Sequence, residues 1–162
     1  MLIIVVFGGV IILTYQTFRQ LQTKKIIEKS LQTLPPVSFF SLDSTYIQLQ
    51  ALPQQPVVII YFNTACEHCQ REVQEIKKYS NQLSQTHLVL LSNESLYKIK
   101  AFVKQYQLDH LKNVQVGQIP AHVAVDSLGL RSVPSFLIYD ENGRFQKKII
   151  GETTIETLLK YL

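Results

Sequence analysis

The sequence predicts an α/β domain with a central mixed β-sheet flanked by helices, and three observations carry that prediction. Val57–Phe62 (VVIIYF) is short, β-branched and aromatic, the composition of a strand covered on both faces. It runs into Cys66-Glu67-His68-Cys69 and then a helical pattern, and His87–Leu91 (HLVLL) followed by a helix over Ser95–Gln107 repeats the strand–helix order, which implies parallel pairing. Phe136–Tyr139, the tight turn Asp140-Glu141-Asn142-Gly143 and a partner strand Arg144–Ile150 form an antiparallel pair, so the sheet is mixed.

In chain order, Leu2–Leu13 has no polar side chain, and Tyr15 and Phe18 extend the apolar character to Arg19. A spanning helix takes roughly 20 apolar residues and a signal-peptide core about 7–15, so the length falls between the two. Without a small-residue cleavage site in TYQTFRQLQT, residues 1–18 read as an uncleaved N-terminal membrane-anchor helix, with a buried core helix as the alternative. Residues 19–33 are polar, Gln-rich and weakly helical, and Pro35-Pro36 ends them; they read as a linker or stalk before a domain spanning 34–162.

The domain opens with an N-terminal hairpin, Val37–Leu42 and Tyr46–Leu49, around Asp43-Ser44-Thr45. Ser92-Asn93-Glu94-Ser95 supplies an N-cap region for the helix after the second strand. A third strand is expected at Asn113–Val116, a short helix after Pro120 ending near Gly129, and an amphipathic helix over Thr154–Leu162.

Composition excludes several function classes. The 162 residues carry a net charge of +4, but their Lys and Arg are scattered singly or in pairs, as at Lys24-Lys25 and Lys147-Lys148. That is a solvated surface, and without an aromatic-interleaved basic cluster no nucleic-acid partner is expected. The only cysteines, Cys66 and Cys69, stand too close for a long-range structural disulfide, which leaves redox chemistry or metal binding.

At the start of a helix, unpaired N–H groups and the helix dipole stabilise negative charge, so Cys66 is the candidate nucleophile. Across one turn, Cys69 can resolve a mixed disulfide formed on Cys66. His68 can lend the Cys66 thiolate a hydrogen bond or positive charge, and Glu67 opposes it; the alternative is that both are exposed helix-start residues. Glu72 stands three positions beyond Cys69 on about the same helical face, as an acid–base group beside the thiols or as an ordinary solvated glutamate. A tetrahedral zinc site would need two further ligands, and His87, His110 and His122 follow no ligand spacing; the last two read as surface or packing residues.

The strand ending in Phe62, the Cys66–Cys69 motif and the later run Arg131-Ser132-Val133-Pro134-Ser135-Phe136-Leu137-Ile138-Tyr139-Asp140 with its Asn-Gly turn together resemble the thioredoxin fold. With the N-terminal anchor, the extra hairpin, the insert before Pro134 and Glu72, residues 34–162 resemble the membrane-anchored TlpA/ResA-like thiol–disulfide oxidoreductases. The resemblance implies a cis Pro134 on a loop facing the cysteines, Val133 offering its backbone to an extended substrate, Ser132 beside it, and Glu72 acting on thiol acid–base behaviour. Three positions depart from the pattern: Ala65 replaces the usual tryptophan, Gln74 a helix-kinking proline, and Ile60 the buried aspartate of thioredoxin. A straighter helix is expected in consequence.

The function implied is disulfide exchange with partner proteins, Cys66 as nucleophile and Cys69 as resolving thiol, supplied by an upstream electron donor and needing no cofactor or metal. Two alternatives stand beside it. A redoxin-type thiol peroxidase would have a threonine three places before its cysteine, where this chain has Asn63, with Thr64 one place out; a copper or zinc carrier would use the Cys pair, although a copper-delivery relative would space its cysteines further apart. Arg19, Lys24, Lys25 and Lys29 follow the apolar run and no cation precedes it, which by the positive-inside rule keeps the domain inside. The family resemblance and the use of a dithiol where disulfides persist place it outside the cytoplasm, and that location is the expectation.

Overall fold

The computed structural model describes the backbone of residues 2–162 and the side chains from Ile12 onward apart from Gln20. A long helix α1 (Leu2–Ser30) precedes the hairpin β1 (Ser38–Ser41) and β2 (Tyr46–Gln48). There follow β3 (Val57–Tyr61), α2 (Glu67–Lys78), β4 (His87–Ser92), α3 (Leu96–Tyr106), β5 (Val114–Gln118), α4 (Ala121–Asp126), β6 (Ser135–Tyr139), β7 (Phe145–Ile150) and α5 (Ile155–Leu159). The strands form one sheet in the order β2-β1-β5-β4-β3-β6-β7, parallel across β5-β4-β3 and antiparallel elsewhere, so the mixed sheet and the N-terminal hairpin stand as the sequence predicts.

Every residue of β3 is buried because both faces of the sheet are covered, which explains why the strand reads as an unbroken apolar run. Successive side chains point to opposite faces. Val58, Ile60 and Phe62 enter one core with Val73 and Ile76 of α2, Ile99, Phe102 and Val103 of α3, and Ile155 and Leu158 of α5. Val57, Ile59 and Tyr61 enter the other with Ala124 of α4, Leu128, Leu130, Ile27 and Leu31. Ile60 itself is buried among hydrocarbon, at the position where thioredoxin keeps an aspartate. Phe62, Phe102 and Tyr106 stack in sequence, with ring centroids 5.0 and 4.6 Å apart.

The topology decides where the site forms. Tyr61 at the end of β3 pairs with Ser135 at the start of β6, so the segment leaving β3 and the segment entering β6 meet at the same end of these central strands. Helix α2 starts at that end and keeps Glu67 in its first turn and Lys77 and Lys78 in its last, charges that complement the helix dipole. It runs through Gln74 as one continuous helix.

At the N-terminus, residues 19–33, expected as a stalk, continue α1 to Ser30, and its last turn is structural: Ile27 is 8% and Leu31 4% exposed in the second core. Polar residues on the other faces hide that pairing in the sequence. The anchor expected over 1–18 rests on apolar side chains of which residues 1–11 lie outside the described ones. Among the described residues no helix is long and apolar enough to cross a membrane. Exposed Ile12, Leu13, Tyr15 and Phe18 are interleaved with Thr14, Gln16 and Thr17 and followed by Arg19, which dilutes the apolar character of this part of the helix.

Ser95 takes the N-cap position of α3 with no side-chain capping bond. The carboxylate of Glu94 turns instead toward the loop after β3.

Candidate active site

Cys66 is the N-cap of α2, in extended conformation (φ −80°, ψ 113°), and its Sγ accepts the backbone N–H of Cys69 at 3.4 Å. This donor is one of the orphan N–H groups of a helix start, and here a sulfur takes the place a Ser or Asp oxygen would fill. The loop before it is held on both sides. Thr64 donates its N–H to Glu94 Oε2 (2.6 Å) and its hydroxyl to Glu94 Oε1 (3.1 Å), Ala65 N–H bonds Asn63 Oδ1 (2.9 Å), and Gln70 Nε2 bonds the Thr64 carbonyl (2.9 Å).

The two thiols are free and differ in setting. Cys66 is half-buried, whereas Cys69 is buried at 1% exposure. Burial pushes the Cys69 thiol up to about 12, and its hydrogen bond with Cys66 and the negative charges of Cys66 and Glu72 push the same way.

Glu72 is not a solvated helix residue. It is 4% exposed, its Oε1 accepts the backbone N–H of Thr153 at 2.6 Å, and its Oε2 has no hydrogen-bond partner. Burial raises the carboxyl to about 7, with the charges of Glu152 and Glu75 adding to it, while the Thr153 bond and Arg71 pull it down.

His68 and Glu67 are exposed, and His68 is engaged elsewhere than expected. Its Nδ1 lies 2.9 Å from Glu152 Oε1 and 2.7 Å from Arg71 Nη2, and Arg71 reaches the same carboxylate through Nε (2.8 Å) and Nη2 (2.6 Å). Nδ1 donates in the first contact and accepts in the second, so the ring makes one or the other at a given moment. These bonds, with His68 and Arg71, hold Glu152 below the usual carboxylate range.

The Val133–Pro134 peptide is cis. Pro134 is buried, Val133 is half-buried between the two cores, Ser135 Oγ bonds the Ser132 carbonyl (2.7 Å), and Gly151 N–H bonds the Pro134 carbonyl (2.9 Å). Cys66 and Cys69 at the start of α2 and Pro134 just before β6 thus lie at the same end of the β3–β6 pair, with Glu72 one turn further along α2, while His110 and His122 are exposed on other elements. Among the described residues no group of three or more His, Cys, Asp or Glu side chains forms a metal site. Sequence reasoning passed over Arg71, Glu94, Glu152 and Thr153, whose partners stand 30 to 81 positions away and leave no local pattern.

Residues 43–162 match the thioredoxin-like domain family, and the chain belongs to that family. Within it, the chain is similar to the thiol-disulfide oxidoreductase ResA of Bacillus anthracis, 26% identical over 99% of this chain and 91% of the relative, and to ResA of Halalkalibacterium halodurans, 22% identical over 75% and 68%. In fold it resembles StoA from Bacillus subtilis (TM-score 0.59, 15% identity, 79% of this chain and 98% of the other). It also resembles a secreted Mycobacterium tuberculosis disulfide oxidoreductase (TM-score 0.62, 16% identity, 78% and 88%). With its pair of free thiols at the start of α2, the chain is a thiol–disulfide oxidoreductase.

Proposed function

We propose that the chain exchanges disulfides with partner proteins through Cys66 and Cys69. The observation that carries this reading is the asymmetry of the pair: an accessible sulfur at a helix N-cap and, one turn on, a buried thiol held in its protonated form. The Cys66 thiolate attacks a partner disulfide, forming a mixed disulfide and releasing one partner thiolate. Cys69 then gives up its proton and attacks Cys66 Sγ, which closes the Cys66–Cys69 disulfide and releases the second thiolate. Two electrons pass to the partner, and an upstream donor restores the dithiol.

Glu72 suits the role of proton acceptor for Cys69, since a carboxyl near 7 is divided between its two forms at neutral pH and its charge reaches that thiol. Val133 and Pro134 form the opposite wall, and Glu67 and His68 border the opening. The peroxidase reading loses ground because the Thr64 hydroxyl is committed to Glu94.

Replacement of Cys69 with Ala should trap a mixed disulfide on Cys66 that mass spectrometry detects, and the trapped protein identifies the partner. Failure of Cys66 to form mixed disulfides, with stoichiometric Cu(I) binding by the pair, would sink this reading in favour of a metal carrier. Membrane attachment through residues 1–18 with the domain outside the cytoplasm is part of the proposal. A membrane-impermeant thiol reagent should label Cys66 in intact spheroplasts, and labelling only after lysis would place the domain inside.

A further inference from the structure

Three consecutive residues between β7 and α5 each grip a different part of the site. Gly151 donates its N–H to the carbonyl of Pro134 (2.9 Å), Glu152 takes the Arg71 guanidinium (2.8 and 2.6 Å) and His68 Nδ1 (2.9 Å), and Thr153 donates its N–H to Glu72 (2.6 Å). Gly151 has φ +91°, a left-handed conformation that glycine adopts without strain, and an added Cβ would meet nothing within 4 Å. The turn at Gly151 sends its N–H to Pro134 and that of Thr153 to Glu72. Thr154 then caps α5 by accepting the Thr157 N–H, which fixes the far end of the segment.

The middle contact is the one made by side chains. Arg71 and Glu72 are adjacent on α2, so the outward side chain of one and the inward side chain of the other close on adjacent residues of the same loop.

We propose that Glu152 is a positioning residue for the dithiol centre: its grip on Arg71 and His68 holds the 151–153 segment so that the Thr153 N–H stays on the Glu72 carboxyl. The proposal rests on the reading of Glu72 as the group serving Cys69, and it adds the residue that sets the environment of Glu72. The charged and titratable groups facing Glu72 are Arg71, Glu75 and Cys69 on its own helix and Glu152 on the loop. Those facing Glu152 are Arg71, His68 and Glu72 on α2.

Charge and position predict opposite signs. Through charge alone, Glu152 makes Glu72 harder to ionise, so removing it would lower the Glu72 midpoint. Through position, losing the clamp lets the Thr153 N–H leave the carboxylate, which removes a bond to the charged form and raises the midpoint.

The test is a pH titration of the full chain, reduced and carrying ¹³C-labelled glutamate carboxyls, with Glu72→Gln assigning the Glu72 resonance. Glu152→Ala should raise the Glu72 midpoint by about one pH unit, the scale of one charge-assisted hydrogen bond. Should that variant fail to fold, Glu152→Asp is read instead. It keeps the charge but falls one methylene short of Arg71, so the clamp predicts a rise and charge alone predicts no change. A fall or no change in the variant read overturns the proposal. A carboxyl titration needs no disulfide exchange, so failed trapping on Cys66 would remove the proposed function with the clamp intact, and an unmoved Glu72 would remove the clamp with the exchange reaction intact.

Discussion

Thr153 donates its backbone N–H to the Glu72 carboxyl across 2.6 Å, although the two residues stand 81 positions apart in the chain. That single bond is what Glu72 receives at 4% exposure, and its second oxygen has no partner. The carboxyl is consequently easier to bury protonated than charged.

Stability should therefore depend on pH in a specific direction. Glu72 is raised from 4.5 to about 7 on folding, so the folded chain binds the proton more tightly than the unfolded chain does. Its contribution is fully present below pH 4.5 and is lost as pH rises through about 7. Urea midpoints should fall across that window in the native sequence, and the fall should be smaller in Glu72→Gln, which keeps an oxygen for Thr153 N–H and does not titrate.

The thiols should react one at a time. Cys69 is 1% exposed and its thiol lies at about 12, so iodoacetamide near neutral pH should modify Cys66 and leave Cys69 unreacted until urea unfolds the chain. Peptide mapping of the labelled protein checks this, and prior labelling of Cys69 would contradict the asymmetry.

Phe102 links the α3 face of the core to the end of β3 through its stacks with Phe62 and Tyr106. Its replacement by Ala should cost about 3–5 kcal/mol, the range for a buried aromatic truncated in a packed core. The measurement is a urea titration in which the midpoint falls and the slope stays constant.

Gly117 carries the join between hairpin and sheet. A Cβ there would collide with the Phe39 ring and lie 2.7 Å from the Phe40 carbonyl oxygen, which belongs to the backbone of β1. Gly117→Ala should destabilise the domain by about 1–3 kcal/mol through overpacking, with amide exchange faster in β1 and β2 than in β3.

Much of the frame was legible because it is written in local pattern. The unbroken run Val57–Phe62, the Cys motif at a helix start and the Val133-Pro134 approach to a strand each announce themselves within a few residues. The end of α1 was not legible, because Ile27 and Leu31 sit among lysines and glutamines and only the folded sheet shows what they cover. Glu72 could be read as an acid–base group beside the thiols or as an ordinary solvated glutamate, and its burial depends on the loop carrying Thr153, 81 positions away. His68 was read toward Cys66 by adjacency, and its ring turned to Glu152, a residue that looks in sequence like any charge before a helix cap. Such three-body contacts have no period and no spacing to detect.

The two rims of the sheet bear on how copies of the chain meet one another. On one side the outermost strand, β2, is three residues long and bordered by a tight turn in which Asp43 accepts from the N–H and hydroxyl of Thr45. On the other, β7 has the N–H of Phe145 already taken by the Gln32 carbonyl, a register shift opposite Ile138 and Tyr139, and the cations Lys147 and Lys148 along it. Short length, an irregular register and like charges are the devices that keep a strand from recruiting another chain. Both rims of the sheet are thus poor templates for adding a strand from a second chain.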